Sequence, residues 1–86
     1  MKVSIWDTYV QKKDGEVMHF DIVAPDDITD EATIYEMGRK YLQSKDMQDF
    51  NLSAKQCSFC HHELASEEME ASISSQGFYI VEMEGC

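Results

Sequence analysis

Basic residues are scarce in this chain: 7 Lys and Arg stand against 17 Asp and Glu, for a formal net charge of −10. Nucleic-acid binders draw most of their affinity from cations that neutralise phosphates, so so acidic a surface excludes that class of partner. Docking on an anionic membrane is excluded on the same ground, and any electrostatic steering favours basic partners. Long apolar runs are also missing, and no stretch approaches the ~20 residues of a membrane span. The opening residues, Met1-Lys2-Val3-Ser4-Ile5-Trp6-Asp7, reach an acid too early for an export segment, which points to a cytoplasmic protein. Proline occurs once and glycine four times, always isolated, so the sequence holds neither a glycine-rich phosphate loop nor a Gly-x-Ser-x-Gly elbow. Cysteine numbers three, an odd count that suits reduced thiols better than a disulfide framework.

What the chain has is apolar residues in dense blocks, 43 % of 86 residues, enough for one domain spanning residues 1–86. A chain of this length buries roughly 60 % of the surface its unfolded form exposes, so it folds with little to spare. Val3 to Val10 are rich in β-branched and aromatic residues and read as a strand. Gln11-Lys12-Lys13-Asp14-Gly15 supplies a turn, and Val17 to Val23 return as a second strand. Side chains alternate along a strand, so Met18, Phe20 and Ile22 share a core face while His19 and Asp21 share the other. Thr8 or Val10 is expected opposite that polar pair.

Pro25 ends the second strand. A helix is expected next, with Thr29 or Asp30 as its N-cap and Ile34, Met37, Gly38, Tyr41 and Leu42 as its apolar stripe. Arg39, Lys40 and Lys45 fall towards its C-terminal end, where positive charge suits the helix dipole. Phe50-Asn51-Leu52 is compatible with a short strand or a loop. Ser53-Ala54-Lys55-Gln56 matches a capping box, which predicts a short helix carrying Cys57. A further helix is expected from Ser66 to Gly77, with Met69 and Ile73 inward, and Phe78 to Met83 read as a strand for the middle of a sheet. These elements predict an α+β fold in two layers: an N-terminal β-hairpin and a C-terminal strand in one sheet, with two main helices packed on it.

Cys57-Ser58-Phe59-Cys60-His61-His62 is the one local constellation with chemical promise. Cys-x-x-Cys-His is the pattern of covalent haem attachment, but that chemistry follows export. Thiol–disulfide exchange wants its first cysteine at a helix N-terminus, and the capping box places Cys57 about one turn inside. Two thiolates separated by two residues also grip one Zn²⁺; His61 or His62 is then a third ligand and Cys86 or His19 a candidate fourth, although a second Cys-x-x-Cys is missing. Cysteines three apart also share one helical face, where they pack as small hydrophobes. His19 and Asp21, two apart on a strand, form a second candidate face for ligand binding or acid–base work; a half-exposed polar sheet face is the plain alternative. Asp7 interrupts an apolar strand and calls for a buried partner.

Trp6-Asp7-Thr8-Tyr9-Val10, Met18-His19-Phe20-Asp21, Cys57-Ser58-Phe59-Cys60-His61, Gly77-Phe78-Tyr79-Ile80 and Met83-Glu84-Gly85-Cys86 together resemble a small bacterial family catalogued as domain of unknown function twenty-twenty-four. The resemblance spans essentially the whole chain. It implies a compact α+β fold and a bacterial source, and it brings no activity or catalytic residue with it.

No complete catalytic constellation is present in a chain too short for a large pocket. The expectation is therefore a non-enzymatic binding or accessory module, with no resident cofactor, acting on a protein or small-molecule partner as a monomer or homodimer. The first alternative is a zinc-binding domain using Cys57, Cys60, His61 and Cys86. A remoter one is a small thiol redox protein or enzyme.

Overall fold

The turn between the first two strands sets the frame of the molecule. In the computed structural model, which describes residues 1–47, 50–56 and 64–86, β1 (Val3–Gln11) runs antiparallel to β2 (Val17–Pro25). Lys12 N donates to Glu16 O and Gly15 N to Lys12 O, closing a turn centred on Asp14. Residues equally distant from that centre therefore pair, from Gln11 with Val17 to Val3 with Pro25. The register places Thr8 opposite Phe20 and Val10 opposite Met18 on one face, and Asp7 opposite Asp21 and Tyr9 opposite His19 on the other. The expected partners of the polar pair, Thr8 and Val10, are thus on the wrong face. Each is fully buried in the core.

Helix α1 (Glu31–Ser44) starts at Asp30, whose carboxylate accepts from Thr33 N and from the Thr33 hydroxyl. Its Ile34, Met37 and Leu42 pack on Trp6, Val10, Met18, Phe20, Ile22 and Ala24, which forms the larger core. Gly38 lets the helix approach closely: a Cβ there would lie 3.0 Å from Leu52 Cδ2.

β3 (Asn51–Gln56) pairs antiparallel with β1, from Gln11–Asn51 to Trp6–Gln56. This corrects the helix expected from Ser53. The local signal Ser-x-x-Gln offers only two capping bonds, whereas an open β1 edge offers a continuous ladder and buries Leu52 and Ala54 against the α1 core. Helix α2 (Glu67–Gln76) follows expectation at both ends: Ser66 Oγ accepts from Met69 N, and Gly77 takes the left-handed conformation at φ 97°. β4 (Tyr79–Glu84) pairs with β2, so the sheet order is β3-β1-β2-β4.

The α+β expectation of one sheet carrying two helices holds, and the structure corrects two of its details. β4 is an edge strand, not a central one. Its apolar density comes from cover on both faces, since Phe78 and Ile80 join the α1 core while Tyr79 and Val81 join a second one. That second core, of Val3, Val23 and Ile73 with Ile5, Ala65 and Met69 around it, lies on the opposite face. The two helices therefore sandwich one end of the sheet, giving three layers there instead of two. Ile22, Val23 and Ala24 are consecutive and all buried, so both faces of β2 need cover at that end. The alternation of Met18 to Ile22 had marked only one face as apolar. No helix among the described residues is long and apolar enough to cross a membrane.

Candidate functional site

α2 covers its face of the sheet only as far as Ile5 and Val23. One step further along β1 and β2 the same face turns polar, with Asp7 opposite Asp21 and then Tyr9 opposite His19. Each of these residues is held by a ladder position in the middle pair of the four-stranded sheet, which is a rigid platform. Tyr9 lies flat on His19, with ring centroids 4.4 Å apart and planes within 8°. That stack fixes the imidazole's orientation.

His19 Nε2 lies 3.7 Å from Asp7 Oδ1 and 3.7 Å from Asp21 Oδ1, too far for a hydrogen bond to either. His19 Nε2 and Asp21 Oδ1 are shut off from solvent, and among the described residues neither has a hydrogen-bond partner. The ligand-capable atoms of Asp7, His19 and Asp21 all lie within 4.8 Å of one another. Burial first, and then the adjacent Asp7 carboxylate, push the Asp21 carboxyl above its usual range, while His19 pulls it the other way. Like charges directly opposite across a ladder destabilise a sheet, and unmet buried polar atoms add to that cost. Two kinds of chemistry suit such a grouping: it can share a proton between its carboxyl groups, or it can hold a cation. Beside Tyr9, a shallow groove of about 470 Å³ is lined by Gln11, Val17, Asn51 and Ser53 among others.

The structure thus brings together the candidate face of His19 and Asp21 and adds Asp7 and Tyr9 to it. Among the described residues Asp7 meets no backbone amide; it is partly exposed and faces an acid and an imidazole. Its role was legible only through the register, which a turn centred on Asp14 dictates. Cys86 lies elsewhere. It is an exposed free thiol whose Sγ sits 3.5 Å from Glu84 O and 3.6 Å from the His19 carbonyl oxygen. Its own carbonyl accepts from Lys45 Nζ, on the α1 side of the sheet. There Lys45 also bonds Glu82, and the Tyr41 hydroxyl donates to the same carboxylate. Burial and then that bond hold the Tyr41 hydroxyl protonated far above its usual range, and Tyr41 and then Lys45 hold Glu82 below its own. This second cluster satisfies itself. Cys57, Cys60, His61 and His62 lie outside the described residues.

The chain matches, over residues 1–83, the family described as Domain of unknown function (DUF2024). The chain belongs to that family. A solved structure of the same fold is the NMR structure of protein NE1680 from Nitrosomonas europaea, a Northeast Structural Genomics Consortium target. It is 34 % identical, superposes with a TM-score of 0.80, and the match covers 100 % of this chain and 99 % of that one. No curated protein matches. Membership of DUF2024 agrees with the resemblance carried by the Trp6–Val10, Met18–Asp21 and C-terminal residues, and it carries no activity with it.

Proposed function

We propose that this DUF2024 chain is a non-enzymatic binding module whose recognition surface is the sheet face of Asp7, Tyr9, His19 and Asp21, and that its ligand is positively charged. One observation carries the reading: two carboxylates and an imidazole converge in the middle of the sheet, and His19 Nε2 and Asp21 Oδ1 have no hydrogen-bond partner among the described residues. A sheet that served stability alone would gain by replacing either acid, because like charges opposite one another cost free energy. Retaining both is understandable when a cation completes them. The net charge of −10 draws basic ligands to the surface in general, and the Tyr9–His19 stack gives this face a rigid aromatic wall. The reading of the protein as bacterial and cytosolic rests on the family resemblance and on the odd count of thiols.

Amide shift mapping tests the proposal. Labelled protein is titrated separately with a divalent metal salt, a polyamine and a lysine-rich peptide. At least one is expected to move the amides of residues 7, 9, 19 and 21 saturably, well before those of α1 and α2. If every cation moves all acidic segments alike, or none moves this face, the reading is wrong.

A further inference from the structure

We infer that Asp7, His19 and Asp21 form a site for one divalent first-row transition ion, ligated by His19 Nε2 and one oxygen from each carboxylate. The inference deepens the proposed binding role and rests on the same face. Geometry is the first argument. His19 Nε2 lies 3.7 Å from an Oδ1 of each aspartate, and one ligand atom from each of the three residues lies within 4.8 Å of the other two; for atoms so spaced the nearest equidistant point lies about 2.0–2.4 Å from each. That span covers the metal–nitrogen and metal–oxygen distances of zinc and its neighbours. Separations of 3.7 Å are too long for hydrogen bonds and suit the edges of a coordination polyhedron.

Partner accounting is the second argument. His19 Nε2 and Asp21 Oδ1 are hidden from solvent and unbonded among the described residues, although a buried polar atom left unmet costs about 1–3 kcal/mol. One ion would meet both demands and neutralise the Asp7–Asp21 repulsion together. Donor chemistry narrows the ion. A nitrogen donor disfavours Mg²⁺ and Ca²⁺, which take oxygen, while two carboxylates and no thiolate disfavour Cu(I). Mn²⁺, Fe²⁺, Co²⁺ and Zn²⁺ remain, with affinity rising from Mn²⁺ towards Co²⁺ and Zn²⁺ also above Mn²⁺. Support for the ligands is already in place. The ladder fixes both aspartates, and the Tyr9 ring holds the imidazole plane. Three protein ligands leave the remaining positions to water or to a ligand entering from the groove beside Tyr9.

Mn²⁺ is the probe, because it is paramagnetic and hard, and so avoids the thiols of Cys57 and Cys60. Added to labelled wild-type protein at substoichiometric amounts, it is expected to broaden the amides of residues 7, 9, 19 and 21 first. Zn²⁺ is expected to displace it in the Cys57→Ser/Cys60→Ser double variant with one ion per chain. Asp7→Asn, Asp21→Asn and His19→Gln should each weaken Mn²⁺ binding at least tenfold, and Glu31→Gln, which removes an acid on α1, should not. Broadening spread evenly over the acidic segments, or unchanged by the three substitutions, overturns the site. Wild-type protein needs no variant to fold for that first readout. Should metals fail while a polyamine or lysine-rich peptide still maps to this face, the ion falls and the binding role stands. Should all three fail there, both fall.

Discussion

Asp21→Asn should make the protein more stable while weakening its binding of Mn²⁺ at least tenfold. Asp21 stands directly across from Asp7, and its carboxyl is pushed above the usual range by burial and by that neighbour. At neutral pH the fold therefore carries two facing carboxylates and a solvent-shielded oxygen without a partner among the described residues. Cross-strand like-charge pairs cost up to about 1 kcal/mol. An asparagine amide can in addition donate to Asp7, a charge-assisted bond in place of a repulsion. A gain of about 1 kcal/mol follows, which raises Tm by roughly 4–8 °C in a domain of this size. The sign depends on pH. Because the folded carboxyl holds its proton more tightly than the unfolded one, wild type suffers no penalty below the ordinary value of 3.8. The advantage of the variant should appear as pH rises past that value and through the raised folded one, then level off. Thermal melts in metal-free buffer from acid to neutral pH give the whole curve. A variant less stable than wild type at neutral pH would refute the reasoning, since Asp21 would then be a structural acceptor.

Glu82 should behave in the opposite sense. Tyr41 and then Lys45 hold its pKa down, so its contribution is full above the unfolded value and is lost as pH falls through the depressed folded one. Melts of Glu82→Gln should accordingly lie below wild type at neutral pH and converge with it in acid. Leu42→Ala, at a fully buried position of the α1 core, should cost about 2–5 kcal/mol, visible as an early denaturation midpoint. Gly77→Ala forces a Cβ into the left-handed region at φ 97° and should cost about 1–2 kcal/mol in the same assay, with the affinity of the Asp7–His19–Asp21 face unchanged.

What could be read from the sequence was what is decided locally. Asp30, Ser66 and Gly77 act within four residues of themselves, so the start of α1 was legible to within one residue, Thr29 or Asp30, and both ends of α2 outright. The β1–β2 hairpin was equally local, its turn lying between the strands it joins. β3 was not. Ser53 to Gln56 carry a helix-start signature, and only the presence of an open β1 edge, a tertiary fact, turns them into a strand. The layering failed for a related reason: Val3, Val23 and Ile73 are far apart in sequence, and nothing local says that they meet. The candidate site divides along the same line. His19 and Asp21 share a face by period two, so their pairing was visible. Asp7 and Tyr9 join them by register, and reading the register required placing the turn centre at Asp14 rather than merely recognising a turn. Cysteine spacing drew attention to Cys57, Cys60 and His61, while Cys86 sits with Lys45 on the α1 side, not with the acidic face.

Whether His19 Nε2 and Asp21 Oδ1, unpartnered among the described residues, serve a ligand together with Asp7 is addressed directly by anomalous scattering from crystals grown with Mn²⁺. One peak is expected, about 2.0–2.4 Å from His19 Nε2 and from an oxygen of Asp7 and of Asp21. Density at scattered surface carboxylates, with nothing between these three side chains, would contradict it.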